Sequence, residues 1–324
     1  MGPLVVEAGK ADLMRAAVPK SDSARDDVAA GEDAAHKPRI PRRSGLEYGA
    51  WVVGILLAVG LAYSLVTNPN YQWGVVAQYF TSESILRGLG MTIILTVVTM
   101  VIGTILGLIM AIMRASSIRP VAIAAGAYIA FFRGTPVLVQ LIFWFNIAAL
   151  YPHLAIGIPF TDIHQAIDVN ALMSATTAAI IGLSLNEAAY MAEIIRGGFS
   201  SVGRGQLEAA DSLGMSATTK MWKVIVPQAM PSIIPATGNQ VIGMFKETSL
   251  VSVLGVAELL QSAQLIYART YQTIPLLIVA CIWYLVMTLI LSYPQSLIEK
   301  RYSRSQLPIS AKNAIENTLV SEGK

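Results

Sequence analysis

Residues 88–113 read GLGMTIILTVVTMVIGTILGLIMAIM and contain no charged side chain. A helix needs about 20 consecutive apolar residues to cross the hydrocarbon core of a bilayer, so this run is long enough to span a membrane. Arg114 closes the run, which is where a span should return to polar surroundings. Within it, Gly103 and Gly107 lie four residues apart, a spacing that predicts a close crossing with another helix.

The composition extends this prediction to the whole chain. Of its 324 residues, 54% are hydrophobic and 13% are charged, whereas about 25% of a soluble domain is charged. These values exclude a disordered chain, a nucleic-acid-binding protein and an ordinary cytosolic enzyme. One cysteine and three histidines exclude a disulfide framework and leave little for a metal centre or for acid–base catalysis by histidine. We therefore expect neither catalytic residues nor a metal site.

Five further apolar stretches give six predicted spans and an all-α integral membrane protein. The third stretch is irregular: residues 121–150 are apolar but contain Arg133 and Pro136. A helix of that length would reach about 45 Å, too far for one straight crossing, so the main third span is predicted at 137–156. The predicted spans are 50–67, 88–113, 137–156, 171–195, 232–254 and 274–298.

Basic residues predict the orientation of these spans. Lys and Arg concentrate around Arg114, in the 197–228 loop and after residue 299, all of which lie on one side of six spans. The other side holds Arg269, with Arg87 at its edge. By the positive-inside rule, both termini of this multi-pass protein are cytoplasmic.

The same reading divides the chain into four parts. Residues 1–49 are polar and lack an apolar run, so they are predicted to form a disordered cytoplasmic tail. Its basic residues 37–43 fit an anchor beside the membrane better than a nucleic-acid site. Residues 50–84 supply an additional N-terminal transmembrane helix and an external loop, 85–300 form the core, and 301–324 form a cytoplasmic C-terminal tail.

The cytoplasmic loop at 197–228 carries the most specific pattern in the chain. Residues 206–213 favour a short helix, Gly214 is a natural helix stop, and Ser216 can cap the next helix. The order is Glu-Ala-Ala, three residues, Gly, nine residues, an aliphatic residue, any one residue, a second aliphatic residue and Pro. It resembles the EAA loop of ABC-importer membrane subunits through Glu208, Ala209, Ala210, Gly214, Val224, Val226 and Pro227.

Three further segments are similar to the polar amino-acid (histidine/glutamine-type) branch of that family. They are FRGTP at 132–136, NEAAYMAEIIRGG at 186–198 and KETSL at 246–250. The resemblance implies a type I ABC importer permease fold and a subunit that passes polar amino acids across the bacterial inner (cytoplasmic) membrane. It also implies that coupling to an ATPase runs through Glu208, Ala209, Ala210, Gly214 and Pro227.

The resemblance implies several partners as well. The chain contains no G-x-x-x-x-G-K-[ST] phosphate loop, so ATP belongs to a separate ATPase subunit dimer and this chain binds no cofactor. A second permease subunit, identical or related, and a periplasmic or surface solute-binding protein complete the assembly in membrane lipid. Residues 256–267 are a candidate docking surface for the binding protein or an ordinary loop helix. No nucleic-acid partner is expected.

Polar residues inside the spans are candidates for the substrate pathway. Asn186, Tyr190 and Glu193 are spaced to share one helix face, and a carboxylate there could accept an amino acid's ammonium group. Alternatively, Glu193 pairs with Arg196. Arg133, Lys246 and Glu247 are interpreted as structural or gating residues.

Two other functions remain open at this point. The chain could be a self-contained oligomeric channel or a small secondary carrier, although such a protein has no need of an EAA loop. A membrane-embedded enzyme is less favoured, since no nucleophile–base constellation is visible.

Overall fold

The structure, a computed structural model, describes residues 45–157 and 164–303. The predicted tails lie almost wholly outside these residues. In order, the elements are α1 (Gly45–Thr67), α2 (Trp73–Phe80), α3 (Glu83–Arg114), α4 (Arg119–Gly134), α5 (Val137–Phe145), β1 (His153–Gly157), β2 (His164–Asp168), α6 (Val169–Leu172), α7 (Ala175–Ser200), α8 (Arg204–Ser212), α9 (Ala217–Lys220), α10 (Val226–Glu247), α11 (Leu259–Thr270) and α12 (Thr273–Ser303).

The predicted helical membrane architecture is confirmed. Within the described ranges 45–157 and 164–303, four helices are long and apolar enough to cross a membrane: Tyr48–Thr67, Glu83–Arg114, Ala175–Ser200 and Thr273–Tyr302. Two further pairs of consecutive helices, each bent at a short break, bring the count to six if each pair forms one span. The chain divides into two units, 1–68 and 69–324. The described part of the first unit is α1, an apolar helix with mostly exposed side chains.

The core of the second unit is built on α3 and α7, which run parallel and cross closely. A Cβ on Gly103 would lie 2.7 Å from the Glu187 side chain, and one on Gly107 would lie 2.6 Å from Met191 Cβ. The two glycines therefore permit the close crossing that their spacing predicts, and the partner helix is α7. Around this pair, Leu95, Leu141 and Met244 belong to one buried apolar cluster that joins α3, α5 and α10.

The predicted third span at 137–156 is wrong in its bounds. α5 ends at Phe145, and its axis makes an angle of 104° with α4. Proline at 136 lacks an N–H and disfavours a helical conformation in the preceding residue, and Thr135 is extended with φ −118° and ψ 146°. If α4 and α5 together form one crossing, that crossing is a broken span.

A β-hairpin follows this broken span and is not predicted by the sequence pattern. Its two strands pair antiparallel, with His153 opposite Asp168. The Asp168 side chain then accepts a hydrogen bond from the Asn170 backbone N–H and caps the short helix α6. The hairpin thus replaces both the end of the predicted third span and the loop expected after it.

The fifth span is also bent, by 44°, where α10 gives way to α11. A 3₁₀ turn at Thr248–Leu254 ends at Gly255, whose φ of 82° lies in the left-handed region that favours glycine. α11 then packs between α3 and α12 with Leu259 and Ala263 fully buried. Of residues 256–267, five are buried and two, Ala257 and Leu265, are exposed. The segment is therefore partly buried against two neighbouring helices, and the docking surface expected there stays a prediction.

Candidate functional site

The loop between α7 and α10 contains the predicted short helix, α8. Its C-terminus forms two backbone hydrogen bonds, from Gly214 N to Asp211 O at 2.9 Å and from Met215 N to Ala210 O at 3.1 Å. Gly214 has φ 66°. This is a Schellman motif, in which a left-handed residue satisfies carbonyls that the helix end leaves free. Glycine at this position stops the helix and turns the chain away.

The side chains of α8 divide between two surroundings. Ala210 is buried, whereas Glu208 and Ala209 are exposed. Leu213 is 75% exposed at the end of the helix, and Trp222, in the following π-helical turn Met221–Ile225, is 67% exposed. Two large apolar side chains are therefore exposed on this otherwise polar loop. Sequence reasoning missed both, although their apolar character within a polar segment was visible.

The second half of the loop fixes the position of α8. The Ser216 side chain caps α9 by accepting a hydrogen bond from Thr219 N. Lys220 on α9 forms a salt bridge with Asp211 on α8. Pro227 lies in the first turn of α10, where the missing N–H of proline is tolerated. The loop is therefore a folded unit that presents Glu208, Ala209 and Leu213 on its surface.

Near the same end of α7, the structure brings together three of the predicted pathway and gating residues. Glu193 Oε2 lies 2.7 Å from Arg196 Nη2 and 3.7 Å from Arg133 Nη1. The Arg133 guanidinium lies over the Tyr190 ring, 5.5 Å from its centroid. This arrangement, Arg133–Tyr190–Glu193–Arg196, is called the arginine–glutamate cluster below. It contains two guanidinium groups and one carboxylate, and all four side chains are partly exposed.

Asn186 lies one turn away but has different contacts. It is 4% exposed, and its Nδ2 donates to Phe132 O at 2.9 Å and to Gln140 Oε1 at 3.1 Å. Gln140 Nε2 in turn donates to Phe132 O and to Thr135 O. These carbonyls lose their helical partners where Pro136 breaks the span. Asn186 and Gln140 thus satisfy the backbone at the bend, and no sequence pattern pointed to Gln140.

The remaining predicted residues, Lys246 and Glu247, lie apart from the arginine–glutamate cluster. Lys246 and Glu247 are exposed at the C-terminal end of α10. Neither forms a salt bridge with another residue in the described part of the chain. The neighbouring acid Glu187 is buried, and its Oε2 accepts a hydrogen bond from Gln240 Nε2 at 3.1 Å. A structural role of Lys246 and Glu247 through an ion pair is therefore not seen within the described residues.

Comparison with known proteins links this geometry to a transport family. The family described as "Binding-protein-dependent transport system inner membrane component" matches residues 103–304. The arginine transport system permease protein ArgU of Corynebacterium glutamicum is 38% identical over 79% of this chain and 81% of its own length. The L-cystine transport system permease protein TcyB of Bacillus subtilis is 37% identical over 74% of this chain and 95% of its own.

Solved structures agree with these relatives. One chain in the crystal structure of an amino acid ABC transporter with histidines is 42% identical to this chain. The match covers 67% of this chain and 94% of that chain, with a TM-score of 0.58. A chain of the inward-facing MetNI methionine ABC transporter covers 68% of this chain and 99% of its own with a TM-score of 0.56. At 16% identity, the second likeness supports the fold alone.

Proposed function

The chain belongs to the family of binding-protein-dependent transport system inner membrane components, and from this we propose that it serves an ATP-driven importer of polar amino acids. Membership confirms the family that the EAA-like loop predicted, and the type I permease fold with it. The amino-acid substrate is supported by relatives described as permease proteins for arginine and L-cystine.

The observation that carries the proposal is the surface of α8. Glu208, Ala209 and Leu213 are exposed on a helix that packs through Ala210 and is stopped by Gly214. Such a helix buries little apolar area by itself, so a partner accounts for the exposed leucine. We assign this surface to an ATPase subunit, which supplies an ATP site, since the sequence contains no G-x-x-x-x-G-K-[ST] phosphate loop. Alanine at 209 permits close approach, and Glu208 can accept hydrogen bonds from the partner.

Two further partners complete the proposed assembly. A second permease subunit, identical or related, pairs with this chain, so that two ATPase subunits face two copies of the coupling loop. A solute-binding protein delivers the amino acid to the opposite face. The proposed orientation puts both termini in the cytoplasm, because Arg114, Arg204 and Lys300 all lie at the end of the core that carries α8.

The arginine–glutamate cluster is the proposed inner part of the substrate pathway. Tyr190 is 37% exposed, and the carboxylate of Glu193 is partly exposed beside it. An amino acid's ammonium could be accepted by Glu193 and its carboxylate by Arg133. Charged groups inside a membrane protein are costly and are therefore mostly paired or functional. The charges of this cluster are paired, and the proposal adds the function. Asn186 contributes by holding the bend that positions Arg133.

Reconstitution tests the proposal. The chain is purified with an ATPase subunit and its solute-binding protein, placed in proteoliposomes, and supplied with a panel of radiolabelled amino acids. We expect uptake of at least one polar amino acid that requires ATP and the binding protein together. Uptake that runs on an ion gradient without the ATPase would contradict an importer and favour a secondary carrier.

A further inference from the structure

A carboxyl group is buried where α3, α7 and α10 meet. Glu187 on α7 is 1% exposed. Its Cγ occupies the space that Gly103 leaves on α3, where an added Cβ would lie 2.7 Å from it. From α10, Gln240 Nε2 donates a hydrogen bond to Glu187 Oε2 at 3.1 Å. One side chain therefore connects three helices, and the loop that contains α8 joins two of them, α7 and α10.

The second oxygen of this carboxyl has no partner within the described part of the chain. Glu187 Oε1 is buried and accepts no hydrogen bond from those residues. Gly103 faces Ser184 on α7 as well as Glu187, and Thr99 precedes Gly103 by one turn on the same face of α3. The hydroxyl oxygens of Thr99 and Ser184 are also buried without a partner among the described residues. An ionised Glu187 would therefore have one donor, the neutral amide of Gln240.

No cation within the described residues forms a salt bridge with this carboxyl. The titratable residues of the helices packed against α7 are Glu83, Arg87 and Arg114 on α3, Arg119, Tyr128 and Arg133 on α4, and Lys246 and Glu247 on α10. Of these, Arg133 is paired with Glu193, and Tyr128 donates to a backbone carbonyl of α7. The charge of Glu247 is negative and repels a charge on Glu187. The described surroundings therefore offer Glu187 no compensating charge.

Glu258 differs in this respect, although it is buried as well. It accepts from the backbone N–H groups of Leu260 and Gln261 at 2.9 and 2.8 Å and from Tyr284 Oη at 2.8 Å. These donors reach both of its oxygens and stabilise an ionised form. An ionised group that lacks such compensation is strongly disfavoured in an apolar interior and takes up a proton instead. The two buried acids therefore differ in which form their surroundings stabilise.

We propose that Glu187 binds a proton when α3, α7 and α10 pack as they do here, and that loss of this proton loosens their packing. The proton forms an O–H bond on the carboxyl group and removes the buried charge. When the helices separate, water reaches the carboxyl, the O–H bond breaks, and the proton passes to water. The contact is a pH-sensitive link between the two helices that the loop containing α8 joins. This inference goes beyond the proposed function, and neither depends on the other.

The pH dependence of stability tests the inference. Above about pH 5 the unfolded chain has released this proton and the folded protein still holds it, so the free energy of unfolding falls as pH rises. The thermal midpoint of the wild type in detergent should fall by about 3–5 °C per pH unit relative to Glu187→Gln, from about pH 5.5 to about pH 7.5. Glutamine has the shape of the protonated acid but no proton to release. Glu83→Gln, at an exposed acid on α3, is the control and should follow the wild type.

Infrared spectroscopy detects the proton directly. A protonated carboxyl has a C=O stretching band that a carboxylate lacks and that shifts on exchange into D₂O. The difference spectrum between wild type and Glu187→Gln at about pH 6 should contain this band. Glu187→Met, which is similar in length and apolar, should remove the same band and serves if the glutamine variant does not fold. Glu258→Gln should leave the band in place.

Thr99→Val separates a protonated Glu187 from an ionised one that draws on the nearby hydroxyl. A hydroxyl that donates to a carboxylate would be lost in this variant, and the midpoint would fall by several degrees. A hydroxyl without a partner predicts an unchanged or higher midpoint, since valine keeps the shape and removes a buried polar group. A lowered midpoint, a missing infrared band, or the same pH dependence in wild type and Glu187→Gln would each overturn the inference.

Discussion

The side chain of Gln295 on α12 fills the space that Gly238 leaves on α10. Gln295 Nε2 donates a hydrogen bond to Pro235 O at 2.8 Å, and a Cβ on Gly238 would overlap the Gln295 amide. Gln295 Nε2 also donates to Glu299 Oε1 at 3.0 Å. Since Pro231 and Pro235 remove two backbone hydrogen bonds from α10, this contact supports the helix where its own ladder is weakest.

Gly238→Ala should therefore destabilise the protein even though alanine favours helices. The added methyl group must displace Gln295, at a cost of about 1–3 kcal/mol. The measurement is the thermal unfolding midpoint in detergent. Gly243→Ala on the same helix is the matched control, since a Cβ there meets nothing within 4 Å, and it should be neutral or slightly stabilising. Equal midpoints for the two variants would contradict the contact.

Asn186→Ala should also destabilise the protein, by about 1–3 kcal/mol. It removes the amide that donates to Phe132 O at the bend between α4 and α5 and leaves Gln140 as the remaining side-chain donor to that carbonyl. Asn146→Ala serves as the control, because Asn146 is exposed and bonds only within its own turn. The two unfolding midpoints should differ by several degrees. A smaller loss for Asn186 than for Asn146 would show that the bend is held by other contacts.

Gly214→Ala tests coupling without adding bulk to a crowded site. Nothing lies within 4 Å of a Cβ at Gly214, so the cost, about 1 kcal/mol, comes from its positive φ alone. That cost is too small to unfold the membrane core. It does favour other backbone conformations at residue 214, so the chain after α8 would leave in a different direction. We expect normal membrane insertion and weaker retention of the ATPase during purification. Gly203→Ala, at the other end of α8 and also without neighbours, should retain the ATPase.

Two substitutions separate a role of Glu193 in transport from a role in its ion pair. The pair with Arg196 is partly exposed, so losing it should change stability by no more than about 1 kcal/mol. If the carboxylate contacts substrate, Glu193→Gln should lower ATP-driven uptake at least tenfold. Arg196→Gln breaks the same pair but keeps the carboxylate and should retain most of the uptake. An equal loss in both variants would instead indicate that the ion pair is what matters.

Labelling with an impermeant thiol reagent tests the proposed orientation. The exposed native cysteine, Cys281, is first replaced by serine. In that background, Asn70→Cys should react in intact cells, whereas Ser212→Cys on α8 should react only after the cells are permeabilised. Reaction of Ser212→Cys in intact cells would place α8 outside and would remove the basis for ATPase coupling. Detecting both proteins in the membrane fraction controls for expression.

Patterns among residues close together in the sequence were sufficient to predict several elements of this structure. The stop of α8 at Gly214 was predictable because a helix end needs a left-handed residue, and glycine adopts that conformation at little cost. The spacing of Gly103 and Gly107 predicted a close crossing because only small residues let two helix axes approach. The pairing of Glu193 with Arg196 was one of two alternatives, and their separation by three residues puts them on one face of any helix.

Contacts between distant segments were not predictable in this way. The third span breaks at Pro136, and the bend persists because Asn186, about 50 residues later, supplies a hydrogen-bond donor to the freed carbonyl of Phe132. Residues 256–267 were a candidate docking surface or an ordinary loop helix, because a short helix of mixed polarity fits either. Their buried side chains pack against α3 and α12, and Glu258 is hydrogen-bonded to Thr92 and Tyr284 on those two helices.

Composition and local sequence were sufficient to identify a helical membrane protein, its family and the end of α8 at Gly214. These properties depend on composition and on residues close together in the chain, where hydropathy and backbone conformation act locally. How the bends are held, and that Glu258 meets Thr92 and Tyr284, depended instead on tertiary structure. Those properties depend on side chains that are separated by many residues and meet only after the helices pack. The spacing of apolar residues along a helix specifies which face is buried but not which helix packs against it.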